Sequence, residues 1–253
     1  MTSSHDAVSS GIGAVNNAVY DTLGRRWYEA EDDPIALLRA ESRARNPWIL
    51  KLLRERGLQK VLDLGCGGGF LSHYLSQNGL TVTGLDASLP SLEVAKERDP
   101  SQGSVYLQGD ARALPFPDQA FESVCAMDFL EHVDEVSLVL KEAARVLRPG
   151  GVFFFHTFNR NWLSRIVVIR GVEWFVKNTP KDLHVYRNFI RPEELGSALA
   201  GAGLELKECF GFGPRFLQWP LLRLLFTGRV SSNFRFERKK SLGLGYAGFA
   251  VKK

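Results

Sequence analysis

V-L-D-L-G-C-G-G-G-F, residues 61–70, is the stretch on which the fold turns. An apolar run of strand length delivers the chain to glycines at 65, 67 and 69, and helix-forming residues follow from Phe70 to Gln77. Glycine permits the tight turns and the close approach of a ligand to backbone that a cofactor loop needs. T-V-T-G-L at 81–85 reads as a second strand, and Asp86 stands at its end, 21 positions beyond Gly65. A carboxylate at that distance can accept hydrogen bonds from both hydroxyls of a ribose. Two adenosine cofactors compete for such a loop. A dinucleotide places its pyrophosphate on the helix N-terminus and calls for a third glycine, which would fall at position 70. Position 70 is Phe70, and Asp63 at the strand tip would repel a diphosphate. S-adenosylmethionine instead carries an ammonium and a sulfonium, which Asp63 attracts. The expected cofactor is therefore S-adenosylmethionine, and the NAD-dependent oxidoreductase reading is the weaker one.

Working outward, Ser88 is placed to cap a helix, and S-V-Y-L-Q at 104–108 and Phe121–Ala126 read as third and fourth strands. Asp134 is expected to cap the next helix, Arg148-Pro149-Gly150-Gly151 to close it, and Val152–Phe155 to begin a fifth strand. Strand and helix alternating at this pitch imply right-handed crossovers, a doubly wound α/β sheet, and ligands at the carboxyl ends of its strands. Towards the N-terminus, Pro34 can open a helix, Asn46-Pro47 is expected to break it, and Gly57 to end its successor. Residues 1–33 are read as an N-terminal arm that frays at its start, and 34–253 as the domain. Beyond Phe158 the rhythm changes. Two apolar and basic stretches, 159–181 and 214–230, read as helical insertions around a helix at 192–200, with strands near 204–210 and 243–251.

With 253 residues the chain can bury a full core, and 45% apolar and 24% charged residues match an ordinary globular protein. The net charge of +4 favours an anionic partner such as a membrane surface; Arg238-Lys239-Lys240, the densest basic patch, reads as a solvated loop, and no nucleic-acid partner is expected. Cys66, Cys125 and Cys209 form neither a pair nor a zinc spacing, which suits a reducing compartment. The small, polar start of the chain is unlike a signal peptide, and no apolar run approaches ~20 residues. A cytoplasmic chain, at most peripheral on a membrane, is the expectation.

Chemistry gathers after the third and fourth strands. Asp110 followed by the small Ala111 suits the exocyclic amine of adenine beside an apolar slot, and Met127 would lie against the cofactor. Asp128, Glu131 and His132 fall within five positions and can share one face of a helical turn. Two carboxylates and an imidazole suit Mg²⁺, which keeps waters and accepts substrate oxygens. Alternatively His132, with an ordinary pKa near ~6.5, is a general base, and His156 is a second candidate for that role.

At this point the chain resembles the ubiquinone-biosynthesis O-methyltransferases. The likeness rests on V-L-D-L-G-C-G-G-G at 61–69, V-T-G-L-D at 82–86, M-D-F-L-E-H-V at 127–133 and L-R-P-G-G-V-F-F-F at 147–155. T-F-N-R-N at 157–161 and P-K-x-x-H…F-I-x-P-x-E-L at 180–195 extend it. The resemblance implies a seven-stranded, mostly parallel sheet ending in a reversed hairpin formed by the strands near 204–210 and 243–251. It also implies methylation of a catechol-type hydroxyl on a polyprenylated ring. It places Gly65, Asp86 and Met127 at the cofactor and Mg²⁺ on Asp128, Glu131 and His132, where it would stabilise and orient the catecholate. There are departures: the family has Glu at the position of Asp128, and at Ile49 it has an Arg that pairs with the methionine carboxylate, a role left here to Arg43 or Arg45. A different small or lipid-like acceptor, or a non-catalytic S-adenosylmethionine-binding protein, are the alternatives. The segment 162–177 reads as an amphipathic helix, with Arg170, Glu173 and Lys177 on one side. It either lies in a membrane interface, aided by 216–226, or forms a lid over the acceptor pocket.

Overall fold

β1 (Lys60–Leu64) is buried on both faces beyond its first residue, as a central strand must be. Its neighbours are parallel: β2 (Thr81–Asp86) on one side and β4 (Phe121–Met127) on the other. β3 (Ser104–Gln108), β5 (Leu147–Phe158), β6 (Leu204–Pro214), β7 (Phe236–Lys239) and β8 (Gly245–Lys252) complete a sheet of order β3-β2-β1-β4-β5-β8-β6-β7. The computed structural model describes residues 16–99, 103–180 and 183–253. The start of the expected arm, residues 1–15, lies outside that range.

Side chains alternate across the sheet and divide the core in two. Leu62, Leu64, Val124, Ala126, Phe153 and Phe155 pack under α5 (Val136–Val146) and α8 (Pro192–Gly201). Val61, Val82, Cys125, Phe154 and Phe249 pack under α2 (Ile35–Glu55) and α3 (Phe70–Gln77). Strand order reverses between β1 and β4, which opens a crevice at the carboxyl ends of those strands. As expected, Ser88 caps α4 (Leu89–Arg98), its hydroxyl accepting the Ser91 N–H at 3.2 Å. The last strands form the expected reversed hairpin, with β8 antiparallel to both β5 and β6.

Four expectations are corrected. Pro47 does not break the helix: α2 runs through it unbroken. One backbone bond is forfeited there, but Ile49, Leu50 and Leu53 bury behind it and the Asn46 amide reaches the Phe70 carbonyl at 3.3 Å. Asp134 does not cap α5, whose N-cap is Glu135 without a side-chain bond. Arg148–Gly151 lie inside β5 instead of ending the helix; pairing jumps from Phe121↔Leu147 to Ser123↔Val152, and Gly150, at φ 74°, turns the resulting bulge. The sheet has eight strands where seven were expected. The extra one, β7, pairs antiparallel with Gly211–Pro214, and Arg238, expected in a solvated loop, lies on it with its guanidinium 3.8 Å from the centre of the Phe210 ring.

Both insertions are helical. α6 (Trp162–Ser164), a π-helical turn at Arg165–Arg170 and α7 (Gly171–Phe175) form one continuous segment, and α9 (Trp219–Thr227) is the other. Val176, Leu224, Val230 and Phe234 pack against Ala36 and Ala40 of α2, which fixes the insertions over the crevice. The N-terminal segment reaches the same place: α1 (Arg26–Glu29) buries Trp27 against Leu23, Ile35 and Val94.

Candidate active site

The space that the glycines of the loop leave is filled from within the chain. A Cβ on Gly65, at φ 67°, would lie 2.3 Å from the Phe129 ring, and one on Gly67, at φ 50°, would lie 2.5 Å from Trp27. Glycine is demanded on both counts, by backbone conformation and by contact. Asp86 ties the loop to β2, since Oδ2 accepts the Gly67 N–H at 2.8 Å and Oδ1 the Ser88 N–H at 2.9 Å. Each oxygen keeps a lone pair for a further donor.

Above the loop is a cleft of about 880 Å³, lined by Asp63, Gly65, Gly67, Asp86, Asp110, Ala111 and Met127 together with Arg45 and Trp27. Asp63 is 3% exposed, and its carboxylate accepts the Ser72 hydroxyl at 2.7 Å. Burial pushes its carboxyl up to about 7, against the Ser72 bond and the Arg45 charge. A cation in the cleft would restore its ionisation. Burial likewise raises Asp86, against its backbone N–H bonds. Asp110 sits at the half-exposed rim, and Arg112 engages both of its oxygens.

A second cavity, of about 360 Å³ and mostly apolar, adjoins the first. α2, the α6–α7 segment, α9 and the ends of β5, β6 and β8 enclose it. Tyr20, Leu38, Asp128 and His132 line both cavities, so these four form the shared wall.

Asn17 sets the chemistry of His132. Its amide nitrogen donates to the His132 carbonyl at 3.1 Å, so its oxygen faces the imidazole Nδ1, also at 3.1 Å. Nδ1 must then carry the hydrogen, and Nε2 keeps a lone pair with no partner among the described residues. Burial pushes the imidazole down to about 4, although Asp128 pulls the other way. At neutral pH His132 is an uncharged acceptor.

Asp128, Glu131 and His132, the expected metal set, point apart. Asp128, at φ 53°, is 8% exposed; one oxygen pairs with Arg45 and the other with His156. Burial raises its carboxyl, but Arg45 and His156 together overcome that and hold it below the usual range. Glu131 accepts the Thr157 hydroxyl at 2.8 Å and lines neither cavity. Burial, with Asp128 nearby, lifts its carboxyl to about 8, so it holds a proton at neutral pH. Among the described residues the acidic and imidazole side chains that do converge are Glu41, Asp128 and His156, whose ligand atoms lie within 4.8 Å of one another. There the Arg45 guanidinium already neutralises Asp128. A divalent cation does not fit this donor set: one carboxylate is spent on an arginine, burial and the nearby Asp128 push the Glu41 carboxyl up, and a dication beside Arg45 is repelled. His156, wholly buried against Arg45 and Asp128, lines neither cavity.

Several of these residues escape sequence reading. Asn17 and Tyr20 belong to the arm that was set apart from the domain, yet Tyr20 stacks on Trp27 and meets His132 edge-on. Of the two arginines expected to take the missing role, Arg43 bonds the Ser232 carbonyl and Arg45 lines the cofactor cleft. His184, 5.6 Å from His132 between ring centres, faces the apolar cavity, and burial holds it down to about 3. Aromatic residues in an aperiodic stretch and polar residues inside α2 were the available signals.

Comparison with known proteins agrees with this geometry. A methyltransferase-domain family matches residues 62–155. The ubiquinone biosynthesis O-methyltransferase of Pseudomonas entomophila is 37% identical over 206 residues, spanning 80% of this chain and 88% of that protein. The protein of the same description from Pseudomonas fluorescens is also 37% identical over the same share. A solved S-adenosylmethionine-dependent methyltransferase of Thermotoga maritima, a possible histamine N-methyltransferase, superposes with TM-score 0.64 at 20% identity, covering 93% of this chain and 99% of that one. The magnesium protoporphyrin IX methyltransferase of Synechocystis, solved with bound SAH, gives 0.64 at 15% identity over 94% and 96%. These two structures establish the fold, and the sequence relatives establish more: the chain belongs to the ubiquinone biosynthesis O-methyltransferase family and is an S-adenosylmethionine-dependent methyltransferase.

Proposed function

We propose that this enzyme methylates a catechol-type hydroxyl on an aromatic ring bearing a prenyl tail, as a step of ubiquinone biosynthesis. One observation carries the reading: an apolar cavity adjoins the cofactor cleft, and the residues common to both linings include His132. Methyl transfer from a sulfonium is an in-line displacement, so oxygen, methyl and sulfur must align across that shared wall. Asp63 faces the cationic amino-acid part of the cofactor, and Arg45 its carboxylate. The phenol gives its proton to Nε2 of His132 as its oxygen bonds the methyl carbon and the carbon–sulfur bond breaks; S-adenosylhomocysteine leaves neutral at sulfur. The tail extends between Ile166, Val172 and Phe175 of one insertion and Leu221 and Leu225 of the other.

Magnesium, which the family resemblance implied, has no step in this scheme. The deciding assay supplies cofactor labelled in the methyl group and a short-chain prenyl catechol, with EDTA in one arm and added Mg²⁺ in another. Label is expected in the aryl ether at equal rates in both arms. Transfer to no phenol ends the reading; turnover lost in EDTA and regained with Mg²⁺ ends the role given to His132.

The same insertions support an anionic membrane surface as partner. Trp162, Trp174, Trp219, Leu217 and Phe226 stand exposed, with Arg165, Arg170, Arg223 and Arg229 on the same two segments. No helix among the described residues is long and apolar enough to cross a membrane, so attachment would be interfacial, with the acceptor tail entering from the bilayer. In flotation, the protein is expected to rise with vesicles containing anionic lipid and to stay below with zwitterionic ones at high salt. Protein remaining in the soluble fraction with both kinds of vesicle counts against it.

A further inference from the structure

Glu41 has no part in the chemistry above, yet it is placed where an acceptor must lie. It sits in the second turn of α2, lines the apolar cavity and is 8% exposed. No hydrogen bond or ion pair joins its carboxyl to any described residue, although Asp128 and His156 lie within 4.8 Å of it. Arg45, one turn along the same helix, is committed to Asp128 and His156. Burying a polar group without a partner is costly, and native cavities satisfy such groups with a ligand or water.

We propose that Glu41 is the specificity-determining residue of the acceptor pocket, hydrogen-bonding a second oxygen substituent on the ring whose hydroxyl is methylated. The inference rests on the phenol reading given above. His132 and Asp128 line both cavities whereas Glu41 lines only the apolar one. The oxygen that meets the methyl group therefore lies at the shared wall, and the second oxygen lies deeper, at Glu41. Tyr20, Asp33 and His184 also line that cavity, but Asp33 is paired with Arg26 and Asp128 with Arg45 and His156, so Glu41 offers the carboxyl without a described partner that can separate a two-oxygen ring from a one-oxygen ring. A site built to hydrogen-bond an oxygen discriminates strongly against an analogue that lacks it, because the protein group is then left unpaired.

Two probes test this: a short-chain prenyl catechol and the matching prenyl phenol without the second hydroxyl. kcat/KM for each is measured with the natural sequence, with Glu41→Gln and with Glu41→Leu. Calorimetric binding of both probes is measured alongside, in the presence of S-adenosylhomocysteine. The catechol-over-phenol ratio is expected to fall about 10- to 100-fold in Glu41→Leu. Glu41→Gln, which keeps both a donor and an acceptor, is expected to hold the ratio within about threefold. Unchanged binding of S-adenosylhomocysteine shows that each variant is folded. If Glu41→Leu weakens both probes equally, or neither, Glu41 does not read the second oxygen. Natural-sequence enzyme that binds and methylates neither probe overturns the phenol reading, and this inference with it.

Discussion

His132→Ala is expected to lower kcat on a phenolic acceptor by about 10²- to 10⁴-fold, the range spanned by a positioned general base. Affinity for S-adenosylhomocysteine should change far less, because Asp63, Asp86 and the glycine loop line the cleft independently of it. The pH profile separates this from a merely structural loss. With burial pushing the imidazole down to about 4, the base stays unprotonated through the physiological range, and activity is lost only as pH falls towards that value. An ordinary imidazole would lose it near ~6.5. The alanine variant should lack the acid limb and keep only a rise towards high pH, where the phenol ionises unaided near ~10. Asn17→Ala frees Nδ1, allows the opposite tautomer, and should cost a smaller part of the rate. Turnover of His132→Ala within threefold of the natural enzyme would show that the proton goes elsewhere.

Arg45→Met is expected to destabilise the ligand-free protein by about 3–5 kcal/mol, read as a shift of the urea midpoint, because it strands a buried carboxylate. Asp128 is 8% exposed, and its other partner, His156, is neutral and also buried. Adding Asp128→Asn should return much of the loss, since the amide is uncharged and Asn tolerates the left-handed backbone at φ 53°. The pH dependence has a definite sign. The Asp128 carboxyl is held below its unfolded value, so its contribution is complete above the ordinary carboxylate range and fades as pH falls below it. His156 is depressed by burial, so its contribution is present above ~6.5 and fades as pH drops. Both act in the same direction, so acid weakens the fold; the double variant should keep the histidine part of that loss and shed the aspartate part. A single variant as stable as the natural protein would show that the ion pair contributes nothing net.

Legibility followed the range of the interactions. β1, β3 and α3 begin and end where the sequence reading placed them, because apolar runs and glycine boundaries act within a few residues. Pro47 was read by its local cost, which the burial of Ile49 and Leu53 outweighs. Arg148–Gly151 carry the signature of a helix stop, but α5 has already ended at Val146 and pairing with β4 draws them into a strand. β7 is four residues of mixed polarity, too short to announce itself; it exists because β6 offers an edge. Asp128, Glu131 and His132 were grouped by spacing, but a turn of 3₁₀ helix after a left-handed residue sends the three side chains to different partners.

The sequence by itself determined the parallel half of the sheet around β1 and the cofactor class. Strand, glycine loop, helix and the acid on the next strand lie within one βαβ unit, where chain connectivity alone sets the geometry. Tertiary structure alone decided the surroundings of the wall between the two cavities, which join Asn17, Tyr20, Glu41, Arg45, His132, His156 and His184 from five separated places in the chain. Which of these groups bears a charge depends on burial and on partners, and neither exists until distant segments have packed together.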